Sequence, residues 1–537
     1  MRTFDLHFNE SDARALTARL PADALAQLQL GAACAGYQCE GGFNGPGEPH
    51  NNWGDWEGRP GVASSGGAAH FWDRFEEDVE LLARHGLRSF RFSIEWARVT
   101  PVRDAAVRAD PPLDPAAIAR YADMLASLHQ RKIEPLVTLY HWTHPAHLGP
   151  DLWLDPGSPT RFASYVKLML PALLDALEKR GTPAPSRYIT LNEPNMYALA
   201  TYVAARFPHG AGKQGGRAAR SCVENQLLAH LAAADVVREV YRARGLVAPK
   251  LTFNNNFSAF YRADLFLVDL LLAPAKGVAR PELEDYLRSR ETRFTREFLA
   301  SEGEIPVARQ LLRWGVRGLE GLLRQGVTLQ RLSALVDAAY RLEGRAVDYL
   351  AFDYYDPFPW NVVGRSTPGN DRGFGPVVDE WEWKPHPRGL SVALELYSES
   401  APGLPVWIAE NGMATRAVGK HGYARNDGAR RDLFIKAHLY ELLRARASGV
   451  PVEGYLHWSL WDNYEWGSYQ PRFGLIGMDC AGGSVDRTSY DAAGVPTIAA
   501  YGAIARALRA GDPSALAVAL ASTELPSADP SGSRQAV

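Results

Sequence analysis

An eight-stranded parallel β/α barrel is the fold this sequence predicts, and three observations lead to it. Short β-rich runs alternate with long amphipathic stretches, the pattern of a parallel sheet joined by crossover helices. The alternation recurs eight times. No GxGxxG follows the first strand and polar residues gather just past each strand, which favours a closed (β/α)8 barrel over an open doubly wound sheet.

The strands are read at 29–35, 89–94, 134–140, 188–191, 251–255, 349–353, 406–410 and 454–458, each a short apolar or β-branched run ending in polar residues. Between them, segments such as 70–86 and 163–181 carry apolar residues at helical spacing and end at a glycine suited to a helix C-cap. This predicts one catalytic barrel over 28–510, a short lead over 1–27, a helical insertion at about 257–347 and a disordered Ser/Pro/Ala-rich tail over 511–537. Within the insertion, 305–327 reads as an amphipathic helix with Leu311, Leu312, Val316 and Leu319 on one side and Arg309, Arg313 and Arg317 opposite. It is expected to cover the barrel or act as a lid; contact with a membrane surface is the lesser alternative.

Composition excludes several classes. Hydrophobic residues make up 46% and charged residues 22% of 537, with 48 Gly and 36 Pro, so the chain is globular and not low-complexity. A formal charge of −3 leaves no basic excess for a phosphate backbone, so no nucleic-acid partner is expected. Four cysteines without a CxxC pair argue against a disulfide scaffold or zinc ribbon and suit buried thiols in a reducing compartment. No secretory signal or membrane span is read, so a cytoplasmic location is expected. The 14 Trp and 22 Tyr suit a pocket that stacks on sugar faces.

In a β/α barrel the active site is built at the C-terminal strand ends. Those ends carry carboxylate, amide, imidazole, phenol and indole groups, without the HExxH or DxDxDG spacing of a metal site, so neither metal nor cofactor is expected. Glu193 ends the fourth strand and Glu410 the seventh, which face each other across the mouth. Two facing carboxylates suit glycoside cleavage: one, protonated, assists the leaving oxygen and the other, ionised, meets the oxocarbenium-like carbon.

Thr190-Leu191-Asn192-Glu193-Pro194-Asn195 together with Ile408-Ala409-Glu410-Asn411-Gly412 resembles the acid/base and nucleophile motifs of family 1 glycoside hydrolases, the β-glucosidase and β-galactosidase family. Gly36-Tyr37-Gln38-Cys39-Glu40-Gly41, Arg91-Phe92-Ser93-Ile94-Glu95-Trp96, Tyr140-His141-Trp142 and 458–466 also look like family segments, and the resemblance runs from about 28 to about 508. It implies a retaining double displacement with Glu193 as acid/base and Glu410 as nucleophile, the latter supported by Arg91 and Tyr355. It further implies a sugar pocket of Gln38, His141, Trp142, Asn192, Asp353, Trp458, Glu465, Trp466 and Phe473. Glu465 stands where enzymes acting on 6-phosphosugars usually carry Ser, which points to a neutral β-glycoside as the small-molecule substrate, with glucosyl favoured and galactosyl or fucosyl tolerated.

Two departures stand out. Asp353 replaces the usual Asn, which places a third carboxyl near Glu410 and predicts that it is protonated or paired. Thr143-His144-Pro145 replaces the common Asp-Leu-Pro after His141-Trp142. A transglycosidase using the same intermediate, or a sugar-binding pseudoenzyme, remain the alternatives; the presence of both Glu193 and Glu410 weighs against the second. The sequence leaves the oligomeric state open.

Overall fold

The computed structural model describes residues 4–104, 106, 110–300, 318, 327–356, 385–418, 421–423, 425, 428–478 and 486–525. Eight parallel strands close into a barrel: β1 Gln29–Ala33, β2 Ser89–Ser93, β3 Glu134–Thr138, β4 Arg187–Asn192, β5 Lys250–Asn256, β6 Leu350–Tyr354, β7 Val406–Asn411 and β8 Val452–Trp458. Each strand pairs with its neighbours in sequence, and β8 closes the ring against β1 with Gln29 opposite Gly454 and Ala33 opposite Trp458. Every expected strand is present, with ends displaced by no more than two residues.

The barrel interior is filled by side chains, as a closed eight-stranded barrel requires. Leu136, Ile189, Tyr349, Trp407 and Leu456 form its inner cluster with small residues such as Ala33 and Ala351. Gly454 is where Trp407 needs room: a Cβ there would sit 2.2 Å from the indole ring. The layer above is polar, and the ladder loses its regular register there. Shifts fall between Ile189 and Asn192 of β4, between Phe352 and Asp353 of β6 and between Tyr455 and His457 of β8. Such irregularities re-aim the side chains that follow, and Asn192, Asp353 and Trp458 lie at or just past them.

Crossover helices follow the expected segments: Phe71–Arg84 is followed by Gly86 at φ 75°, and Ser158–Glu178 by Gly181 at φ 62°. Between β5 and β6 the insertion contains helices Leu265–Leu272, Leu283–Ala300 and Ser333–Arg341. Arg290 joins two of these helices by an ion pair to Asp269 (3.0 Å) and ties the insertion to the crossover helix Pro387–Ser400 by one to Glu399 (2.8 Å). Apart from Gly318 and Val327, the expected helix 305–327 lies outside the described residues.

The tail departs from expectation. Pro513–Ala521 is a helix whose first turn is capped by the Asp512 carboxylate, accepting from the Ser514 and Ala515 amides at 2.9 Å. Asp at the cap and Pro at the first helical position are a strong start signal, and Leu516 and Leu520, one turn apart, are fully buried. They pack against the lead, where Asn9 and Asp12 form a capping box on helix Glu10–Thr17 and Thr17 donates to the Pro513 carbonyl at 2.9 Å. Averaging composition over the whole tail hid this short apolar stripe. Residues 526–537 lie outside the described set. Among the described residues, no helix is long and apolar enough to cross a membrane.

Candidate active site

Glu193 takes its position from backbone rather than from side-chain rotamer alone. It sits in the left-handed region at φ 39°, ψ 63°, between the end of β4 and helix Pro194–Ala198. A non-glycine residue there costs about 1–3 kcal/mol and persists when its surroundings hold it. They do: its N–H donates to the Asn254 carbonyl at 2.8 Å and its carbonyl accepts from Tyr197 at 2.9 Å. Pro194 then starts the helix at the position where a missing N–H costs nothing.

The carboxyl of Glu193 accepts from the Asn256 side-chain amide at 2.8 Å, and no cation contacts it among the described residues. Glu410 is held differently. Arg91 Nη1 contacts one oxygen at 2.5 Å and the Tyr355 hydroxyl donates to the other at 2.8 Å. Arg91 is fully buried, with its remaining donors placed on Asn192 Oδ1 at 2.5 Å and Thr138 Oγ1 at 3.0 Å. One carboxylate oxygen from each of Glu193, Asp353 and Glu410 lies within 4.8 Å of the others.

Burial is the first cause of every shift in this cluster. It raises Glu193 to about 8, with the Glu410 charge as the next contributor, while Asn256 pulls the other way. Burial also lifts Glu410 above the ordinary carboxylate range, and there Arg91 and Tyr355 oppose it. Asp353 is raised well above its usual value by burial and then by the Glu410 and Glu193 charges.

Around this cluster the expected sugar contacts assemble. Asn192 joins Arg91 and Asn254 through its oxygen and reaches His141 Nε2 with its amide at 3.2 Å. Gln38 and Trp458 Nε1 donate to separate oxygens of Glu465 at 3.1 and 2.9 Å. Burial raises Glu465 to about 8. The His141 ring stacks near Trp458 and Trp466, at centroid distances of 5.8 and 6.1 Å. Trp142, also at positive φ, donates from its indole to the Asn192 carbonyl at 2.9 Å and packs 4.7 Å from Trp466. Phe473 meets Tyr355 edge-on at 6.0 Å. Among the described residues, Gln38 Oε1 and His141 Nδ1 are buried without a protein partner, which leaves them able to meet hydroxyls of a ligand.

Asp353, expected among the sugar contacts, is fully buried beside Glu193 and hydrogen-bonded to Asn254. Thr143, from the departure after Trp142, donates to Glu95 beneath the mouth. Sequence reasoning passed over Asn254 and Asn256, which bond to Asp353 and Glu193. The signal was present: three consecutive asparagines, 254–256, end a strand whose polar tip has no other use.

The three carboxyls could in principle ligate an ion. However, Arg91 and Tyr355 occupy both Glu410 oxygens, and Asn254 and Asn256 take one each from Asp353 and Glu193. That leaves far fewer lone pairs than the about 6–8 oxygens calcium takes. The donor set fits proton and hydroxyl chemistry better than a resident metal.

The model of glycosyl hydrolase family 1 matches residues 19–258 and 369–494, breaking across the insertion. The chain belongs to glycosyl hydrolase family 1. This family 1 chain is 27% identical over 467 residues to a 1,4-β-D-glucan glucohydrolase of Thermotoga neapolitana, covering 84% of this chain and 96% of that one. It is also 25% identical over 474 residues to a 6-phospho-β-galactosidase of Clostridium acetobutylicum, covering 84% and 91%. A β-glucosidase from Thermotoga maritima in complex with galacto-hydroximolactam shares the fold, with TM-score 0.63 and 23% identity over 90% of this chain and 98% of that one. The family 1 enzyme is a retaining β-glycosidase.

Proposed function

We propose that this enzyme removes the terminal non-reducing β-D-glucosyl residue of neutral β-glycosides, with Glu410 as nucleophile and Glu193 as acid/base. The observation that carries the assignment is the unequal support of the two carboxyls: a guanidinium and a phenol on Glu410, one neutral amide on Glu193. The closeness of the two carboxyls, with one oxygen of each within 4.8 Å of the other, supports the retaining arrangement.

In the first step Glu193 gives its proton to the glycosidic oxygen while a Glu410 oxygen bonds to the anomeric carbon and the aglycone leaves. The Glu410 charge is then gone. Because that charge is the second-largest cause holding Glu193 up, Glu193 becomes a stronger acid and rests as the carboxylate. In the second step it takes a proton from water, whose oxygen displaces Glu410 from the anomeric carbon. One residue serves both half-reactions because the other changes charge between them.

A neutral glycone is supported by the corner that Glu465 occupies. Both its oxygens accept hydrogen bonds and no cation contacts it among the described residues, so a phosphate would meet a carboxyl where it needs a counter-charge. The glucosyl preference draws on the glucohydrolase relative. Three free, buried cysteines, Cys34, Cys39 and Cys222, support a reducing, cytoplasmic setting.

A panel of aryl β-glycosides tests the proposal. Glu410→Ala is expected to lose about 10⁴-fold or more in kcat. Glu193→Ala should retain activity only on activated aryl leaving groups, and added azide should raise it by attacking the glycosyl-enzyme to give a β-glycosyl azide. Failure of wild type on every neutral β-glycoside, with hydrolysis of the 6-phosphorylated ones, overturns the substrate assignment.

A further inference from the structure

The carboxyl of Asp353 poses an accounting problem that the double displacement does not use. Its Oδ2 accepts from the Asn254 amide. Its Oδ1 is buried and finds no donor among the described residues. Within 4.8 Å lies a Glu193 oxygen, itself an acceptor when ionised. Two acceptors this close are satisfied together when a proton sits between them, and the two side chains are hydrogen-bonded to each other.

Charge leads to the same answer. From β2, Arg91 supplies the one cation contacting this cluster among the described residues, and it is bonded to Glu410, Asn192 and Thr138 rather than to Asp353. The other groups that interact with Asp353 are Glu193 at the end of β4, Asn254 on β5, Tyr355 beyond β6, Tyr397 on the helix Pro387–Ser400 and Glu410 on β7. His141 is driven well below its usual pKa by burial and then by Arg91, so it stays neutral. Three ionised carboxylates against one guanidinium would leave a net charge of −2 in a buried site, which burial opposes.

We propose that Asp353 is a positioning residue that shares a single proton with Glu193, so that the acid/base of this enzyme is a carboxyl pair rather than one glutamate. The proposal rests on the assignment of Glu193 as acid/base. The proton moves within the pair without net change: Glu193-COOH with Asp353-COO⁻ exchanges with Glu193-COO⁻ with Asp353-COOH. Glycosylation draws the proton from Glu193 to the leaving oxygen. Deglycosylation returns one from water. The two carboxyls are hydrogen-bonded to each other, a contact that lowers Glu193 and raises Asp353.

A shared proton is hard to remove, because its loss leaves two carboxylates side by side next to the ionised Glu410. The basic limb of kcat/KM, where the acid must still hold its proton, therefore reports on the pair. In Asp353→Asn the amide donates to Glu193 and carries no charge, which favours the Glu193 anion. That limb should move to lower pH by about one unit or more, and the acidic limb, set by Glu410, should fall as well because the variant removes the pair's negative charge beside it. Independently of turnover, infrared spectra of wild type at neutral pH should show a neutral carboxylic-acid carbonyl band, shifted in D2O and displaced by both Asp353→Asn and Glu193→Gln. A basic limb and a carbonyl band both unchanged in Asp353→Asn overturn the shared proton. If instead Glu193→Ala hydrolyses poor leaving groups at full rate, the acid/base assignment fails, and the infrared result still decides whether the pair exists.

Discussion

The two sides of the barrel mouth treat the same residue type in opposite ways. On the β7 side, Glu410 sits under a buried guanidinium at 2.5 Å and a phenol at 2.8 Å. On the β4 side, Glu193 meets a neutral amide at 2.8 Å and a neighbouring carboxyl. Burial is common to both, so it cannot be what separates their roles. The partners do that. A cation stabilises the charged form needed to attack carbon, whereas its absence keeps a proton on the carboxyl that must release it.

The strongest way to break this contrast is to remove the cation. Arg91→Met leaves Glu410 buried without its counter-charge, and losing one partner of a buried pair costs about 3–5 kcal/mol, or roughly 10²–10⁴-fold when it falls on kcat/KM. Because Arg91 is the largest influence lowering Glu410, the acidic limb of the profile should also climb to higher pH. Circular dichroism and a thermal melt establish that the variant is folded. Near wild-type kcat/KM in a folded Arg91→Met would show that the guanidinium does not divide the roles.

Tyr355→Phe sharpens the same side with less damage. A hydrogen bond to a charged group contributes about 1.5–3 kcal/mol, so kcat/KM should fall roughly 10- to 100-fold. The lost donor lowered Glu410, so the acidic limb should again rise while the basic limb holds. A drop in rate with both limbs in place would assign Tyr355 to substrate contact rather than to the charge on Glu410.

Most of this site was legible because its signals are local. Asn192-Glu193-Pro194 and Glu410-Asn411-Gly412 each end an apolar run, and a barrel places such ends on one face whatever lies between them. Arg91, Tyr355 and Gln38 were implied by the family resemblance of the segments that hold them. What escaped depended on contacts across the barrel. Asn254 and Asn256 look like ordinary strand-end amides until β5 is set beside β4 and β6, where they touch Glu193 and Asp353. Glu465 is legible as a residue that replaces the usual Ser of 6-phosphosugar enzymes, but not the engagement of its two oxygens by Gln38 and Trp458, nor the burial that favours its neutral form. The tail escaped for a different reason: its helix packs against the lead, some five hundred residues earlier, as well as against helices Thr497–Ala510 and Arg431–Ala447, and no local pattern announces such contacts.

The smallest effect, and the closest test of the β4 side, comes from Asn256→Ala. The amide stabilises only the ionised form of Glu193, since it donates to an oxygen that carries more charge as the carboxylate. Its removal should therefore raise a group already held near 8, and the basic limb of kcat/KM should move to higher pH by under about one unit. The direction is opposite to that expected for Asp353→Asn, although both positions flank the same carboxyl. Deglycosylation, which needs the Glu193 anion as base, should slow a few-fold, lowering kcat on substrates with good leaving groups and leaving kcat/KM at lower pH nearly intact. If the acidic limb moves instead, Asn256 acts through Glu410, and the separation between the two sides of the mouth is less complete than their hydrogen bonds indicate.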